Sequence, residues 1–139
     1  MKNSPITPRD TISLSEKLSR GDLFASPCPS RIVLKHVCSQ WGLLILIALQ
    51  GKKVMRFAEL RKKLGGVSEK MLAQSLQALA SDGFLLRKSY PVVPPHVEYS
   101  LTEMGEEIAD HVAQLTDWIE YNLPRVLEAQ LSLQDTADK

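Results

Sequence analysis

Cysteine is scarce in this sequence, with Cys28 and Cys38 the two thiols among 139 residues. Two thiols cannot build the multi-bridge framework of a small secreted domain, and a reducing compartment keeps them as thiols. Long hydrophobic runs are absent too. The longest, Leu43–Leu49, falls far short of the roughly twenty residues that cross a bilayer, and Lys2 is not followed by a signal-like apolar block. A cytoplasmic protein with no membrane role is expected. There is no Gly-rich phosphate loop, nucleophile elbow or metal-ligand spacing, and His36, His96 and His111 do not pair with cysteine at ligand distances. No enzyme activity, cofactor or metal is therefore expected.

The net charge of +1 is also near nothing, but it is unevenly spread. Residues 52–98 carry nine Lys/Arg against four Asp/Glu, a balance of +5, whereas residues 99–139 carry two against nine, or −7. Residues 1–51 carry six against three, +3, and the three blocks add to the whole-chain value. A basic middle and an acidic tail direct a polyanionic partner to the middle. The length and the 44% hydrophobic, 24% charged composition suit one compact domain.

In that basic middle, Phe57, Leu60 and Leu64 recur at three or four residues, predicting a helix over Arg56–Leu64. Gly65-Gly66 stops it, and Ser68 can cap the next helix through its hydroxyl. Two short helices about a glycine turn make a helix-turn-helix, whose second helix commonly enters the DNA major groove. In the second helix, Ser68–Asp82, the residues Leu72, Leu76 and Leu79 share one face; Lys70, Gln74, Gln77 and Ser81 lie roughly opposite. Lys suits phosphate or guanine, and Gln can pair with adenine through two hydrogen bonds. A solvated helix face carries the same residue types, so the segment C-terminal to this helix decides between the two.

Asp82-Gly83 closes this helix. The stretches Phe84–Tyr90 and His96–Leu101 read as two strands, with Pro91, Pro94 and Pro95 between them, where a missing N–H breaks no ladder. A basic hairpin straight after a helix-turn-helix is a wing. The candidate DNA contacts are Arg56, Arg61, Ser68, Lys70, Met71, Gln74, Gln77, Arg87, Lys88 and His96, the last three on the wing for phosphate or minor groove. The wing cations could instead only keep an edge strand soluble. The expected fold is mainly α with a small β-hairpin wing: a winged helix-turn-helix with N- and C-terminal dimerisation helices.

Several separate strings carry a family resemblance: Cys28-Pro29, Trp41-Gly42-Leu43-Leu44-Ile45-Leu46, Arg56-Phe57-Ala58-Glu59-Leu60, Val67-Ser68-Glu69-Lys70-Met71-Leu72, and PVVPPHVEYSLTEMG over Pro91–Gly105. From about Cys28 to Leu123 the chain resembles the HxlR-type bacterial winged-helix transcriptional regulators, relatives of the MarR type. The resemblance implies a cytoplasmic homodimer on inverted-repeat operators, often with a cysteine near the N-terminus that senses oxidants or electrophiles. Cys38 and His96 depart from the pattern, which has glycine near the first and a permanent cation at the second.

Cys28 precedes Pro29 and a helix over Ser30–Val37, so it should sit at a helix N-terminus with Arg31 within a turn. The helix dipole and the guanidinium both favour thiolate, and an exposed thiolate is open to oxidation. An inert capping residue is the alternative. Cys38 is expected on the core face with Leu34 and Val37. Gln40–Gln50 is read as the central core helix, Trp41 included, and its C-terminal Lys52 and Lys53 as candidate contacts to the DNA backbone.

Residues 1–27 are expected to form an arm, with a helical turn or two over Thr11–Arg20; residues 28–123 form the winged domain and 124–139 a C-terminal dimerisation helix and tail. Thr102 can cap a long helix from Glu103 to about Asn122. Met104, Ile108, Val112, Leu115 and Ile119 make an apolar stripe along it, and a further helix is expected over Arg125–Leu133. Ile108, Val112, Leu115, Ile119 and Val126 are the candidate dimer contacts. The expected function is sequence-specific binding of double-stranded DNA by a homodimeric transcriptional regulator, switched by oxidant modification at Cys28. Control by a small-molecule effector and use of the winged helix as a protein-binding module are the alternatives.

Overall fold

The computed structural model describes residues 23–24 and 28–137; the arm and the Thr11–Arg20 helical turns fall outside them. Helix α1, Pro29–Cys38, starts with proline at the position where an amide is dispensable. Extended backbone at Ser39 ends it and begins α2, Gln40–Leu49, whose first turn is capped by the Ser39 hydroxyl accepting from the Gly42 amide at 3.1 Å. The two helices bend by 70° at this joint. Ile45, Leu46 and Leu49 are wholly buried, so α2 is the central helix expected of its composition. Among the described residues, no single helix is long and apolar enough to cross a membrane.

After α2 the chain turns through Gly51 and Lys52, both at positive φ. It then makes a two-residue strand β1, Met55–Arg56, and helix α3, Phe57–Lys63. The helix expected from Arg56 thus starts one residue later, because Arg56 is taken into the sheet opposite Glu98. Gly66, at φ 93°, carries the turn into α4, Glu69–Ser81. Strands β2, Leu85–Tyr90, and β3, His96–Leu101, form the hairpin, and the antiparallel sheet runs in the order β1-β3-β2.

Thr102 caps α5, Glu103–Tyr121, by accepting from the Gly105 amide at 3.0 Å, and its hydroxyl donates to Gly83 O at 2.6 Å. The end of α4 and the start of α5 are thereby pinned together. Helix α6, Leu123–Ala137, begins earlier and ends later than expected; Asn122 at the joint is buried, donating to Trp118 O and accepting from Arg125. The acids at the start of α5 do more than suit its dipole. Glu106 accepts from the Gly51 and Lys52 amides at 3.0 and 2.7 Å, and Asp110 accepts from Gln50 at 2.6 Å. Helix α5 is therefore clamped onto the C-terminal end of α2.

One core joins these elements, with Leu60, Leu64, Leu72, Leu76, Leu79, Phe84, Tyr99, Ala109 and Val112 packed around α2. The result is mainly helical with a small three-stranded sheet, in agreement with the expected fold class.

Candidate nucleic-acid interface

Helix α4 presents the two faces its spacing predicts. Leu72, Leu76 and Leu79 are buried, while Lys70, Met71, Gln74 and Gln77 are exposed. Ser68 is the N-cap, its hydroxyl accepting from the Met71 amide at 3.1 Å. Ser81 is also exposed but donates to Ala78 O within its own helix. Arg61 braces the turn: its Nε reaches Val67 O at 3.5 Å, and its guanidinium lies 3.6 Å from Glu69. With Lys62 it borders an open cleft of about 730 Å³ over the Gly65–Ser68 turn. Ser68→Ala should lower stability by about 1 kcal/mol, the usual cost of losing an N-cap. The check is a lower urea midpoint at unchanged slope.

The wing separates residues that their basic character groups together. Arg87 pairs with Tyr99 and Lys88 with Glu98, so successive side chains take opposite faces of the hairpin. Arg87 joins Gln77, Ala73 and Ala80 in a groove of about 330 Å³ between α4 and the sheet. Lys88 lies on the other face, its Nζ 5.2 Å from the Tyr90 ring centroid. Arg56 is brought to that same outer face, because β1 places it opposite Glu98.

His96, expected to meet phosphate or the minor groove, is instead engaged within the hairpin. Its Nε2 lies 2.7 Å from Glu98 Oε2, and its ring meets Tyr90 edge-on at 4.9 Å. The Tyr90 hydroxyl donates to Glu98 Oε1 at 3.1 Å. The hydrogen bond from His96 holds the Glu98 carboxyl below its usual pKa against an opposing effect of burial; the Tyr90 hydroxyl and the charges of His96 and Arg56 add to the lowering. Sequence reasoning missed Glu98 as a member of the site. Its signal was there: alternation puts residues 96 and 98 of a strand on one face.

Of the two cysteines, Cys28 keeps its expected place and Cys38 does not. Cys28 is the N-cap of α1 as predicted, but it is buried, and its side chain caps no amide. Arg31 directs its guanidinium to Phe24 O at 2.9 Å. Cys38 is exposed rather than on the core face, and Leu34 is half exposed; Val37 alone of the three is buried. Cys38 is the last residue of α1, one helical step of 100° beyond Val37, where the chain swings into α2.

The candidate dimer contacts also divide. Val112 is buried in the chain's own core, and Ile108 packs against that core, because the first half of α5 lies on α2. Leu115 and Ile119 remain 47% and 45% exposed, beside Trp118 at 57%. Val126 on α6 is half-buried, with Leu123, Leu127 and Leu131 exposed near it. The stripe is continuous in sequence; in the fold its middle, Ile108 and Val112, is internal, while Met104 before it and Leu115 and Ile119 after it face outward.

Comparison with known proteins places this architecture. Residues 36–127 match the family model described as HxlR-like helix-turn-helix. The uncharacterized HTH-type transcriptional regulator YtfH of Escherichia coli (strain K12) is 66% identical over 116 residues, 84% of this chain and 91% of that protein. The solved structure of ytfH from Salmonella typhimurium is similar with a TM-score of 0.75 and 68% identity, covering 79% of this chain and 97% of that one. The redox regulator HypR in its reduced form is similar with a TM-score of 0.64 and 34% identity, covering 73% and 98% respectively. With both helices, their turn and the hairpin inside the matched span, the chain belongs to the HxlR-like helix-turn-helix family of transcriptional regulators.

Proposed function

We propose that the protein is a homodimeric, sequence-specific DNA-binding regulator acting on inverted-repeat operators. The observation that carries this reading is the exposed face of α4, where Lys70, Met71, Gln74 and Gln77 stand on a rigid backing of Leu72, Leu76 and Leu79. Lysine and glutamine on a rigid helix are suited to base edges and phosphates. Ser68 sets the start of this helix, Arg61 crosses its turn, and Arg87 flanks it from the wing; Arg56 and Lys88 offer phosphate contacts from the outer face. Residues 28–123 are the winged domain, and the outward apolar residues Leu115 and Ile119 join residues 124–139, the half-buried Val126 included, in the dimer contact. Two-fold operators call for two-fold proteins.

A thiol switch at Cys28 is part of the proposal. Likeness to the redox regulator HypR supports thiol control, and Cys28 stands at the N-cap of α1, the position in the sequence that the proposed switch requires. Burial at 6% exposure means that oxidant reaches this thiol only when the atoms covering it move aside. The exposure of Cys38 favours a second reading, in which oxidation begins there.

The test is a gel-shift titration with operator DNA, reduced and after diamide, across a salt series. Wild type should shift specific DNA with steep salt dependence and lose the shift on oxidation. Cys28→Ser should keep it. If Cys38→Ser keeps it instead, the second reading replaces the first; if wild type itself shifts specific DNA but ignores diamide, the thiol switch is retired in favour of a small-molecule effector. No shift of any duplex at low salt would leave the winged helix as a protein-binding module.

A further inference from the structure

On the outer face of the sheet, Glu98 on β3 stands between Arg56 on β1 and Lys88 on β2, directly paired with each across the strands. Directly opposed residues of an antiparallel pair share a face, with side chains about 5 Å apart at their roots. His96 and Tyr90 fix the carboxylate from the same face, at 2.7 and 3.1 Å. One acid, held by two hydrogen bonds, thus sits among Arg56, Lys88 and His96. Its side chain is 28% exposed, so its charge is felt in the solvent beyond it.

We infer that Glu98 determines specificity by acting as a built-in counter-anion, which weakens the joint hold of Arg56 and Lys88 on the phosphates of unselected DNA without abolishing it. The inference rests on the proposed DNA-binding function. Binding to unrelated duplex is almost entirely electrostatic, and each neutralised phosphate adds close to one unit to the salt slope. A fixed carboxylate offsets one such contact. Operator binding draws in addition on base contacts from α4, which lie away from this face and which Glu98 does not oppose. The carboxylate therefore subtracts from unselected binding proportionally more than from selected binding.

The experiment compares wild type, Glu98→Gln and Lys88→Gln on an operator fragment and on an unrelated duplex, between about 50 and 200 mM salt, with unfolding midpoints measured alongside. Glutamine keeps the shape and an oxygen for Tyr90 while removing the charge. Glu98→Gln should bind the unrelated duplex more tightly at low salt, with a slope steeper by about one unit, which is roughly a fourfold greater loss of affinity over that salt range. The ratio of operator to unrelated affinity should fall.

Lys88→Gln should bind the unrelated duplex more weakly, with a shallower slope. If Glu98→Gln binds both DNAs more weakly and melts earlier, Glu98 is a structural brace and the inference is overturned. Unchanged slopes in both variants overturn it as well, while operator preference in the wild type leaves the DNA reading standing. Should Glu98→Gln not fold, the Lys88→Gln slope decides: no change sinks the idea. Failure of the wild type to bind either duplex removes the DNA reading and this inference together.

Discussion

Replacing Gln74 with alanine is expected to weaken operator binding by about tenfold or more per half-site while leaving affinity for unrelated DNA within about twofold. A well-placed bidentate contact is worth about 1–3 kcal/mol of discrimination, and unrelated DNA is held by charge, which glutamine does not carry. The geometry behind the expectation is the exposed position of Gln74 on α4, one turn beyond Lys70 and one short of Gln77. Its neighbours on the other face are fully buried leucines, so the substitution leaves the packing intact. The measurement is competition of operator against scrambled duplex at fixed salt. Equal losses on both DNAs would mean that the base-reading residues lie elsewhere on the surface.

The second large effect is on folding. Gly105→Ala should destabilise the protein by about 3 kcal/mol, the upper part of the usual range for an overpacked site. A methyl group on Gly105 would meet the carbonyl of Phe84, whose oxygen accepts from the Thr102 amide, and would crowd Leu101. That obstacle is backbone and cannot rotate away. Helix α5 would have to lift from the segment that leaves α4, loosening the Thr102 cap and its bond to Gly83. Against a typical total of about 5–15 kcal/mol the loss is large, and a urea titration reads it directly. DNA binding should fall with the folded fraction, equally for all sequences, which sets this variant apart from Gln74→Ala. An unfolding midpoint matching wild type would show that α5 can give way at no cost.

The elements that can be read from the chain are those whose signal is local. Ser68 and Thr102 are caps that bond to an amide three residues on, so their partners are near in sequence. The leucine spacing of α4 determines its buried face for the same reason, since period alone says which side chains point together. Strand β1 escapes such a reading because two residues carry no period; its only cause is the pairing with β3, more than forty residues away. The fate of Arg56 and the placing of Glu98 depend on that pairing. Val112 shows a related limit. An apolar stripe says which side of α5 is hydrophobic, but where α2 ends decides which part of the stripe is covered. Cys38 is misplaced by helix period because it is the final residue of α1, where the 70° bend governs exposure.

The clamp of Glu106 and Asp110 on the end of α2 has a mechanical meaning. Helix α5 spans 19 residues, about 28 Å at 1.5 Å per residue. The clamp fastens its near end, so it behaves as a lever with its fulcrum at Gly51 and Lys52. The arm from Glu106 at the fulcrum to Tyr121 is about 22 Å, so a tilt of about 10° displaces the far tip by about 4 Å. In the proposed dimer the far halves of two such levers meet, and the separation of the α4 helices inherits any tilt. Major-groove half-sites recur about every 34 Å, so a displacement of that size puts two α4 helices out of step with the groove. In that proposed dimer, two carboxylates on backbone amides and a glutamine would hold the spacing of the two α4 helices to the repeat of the groove.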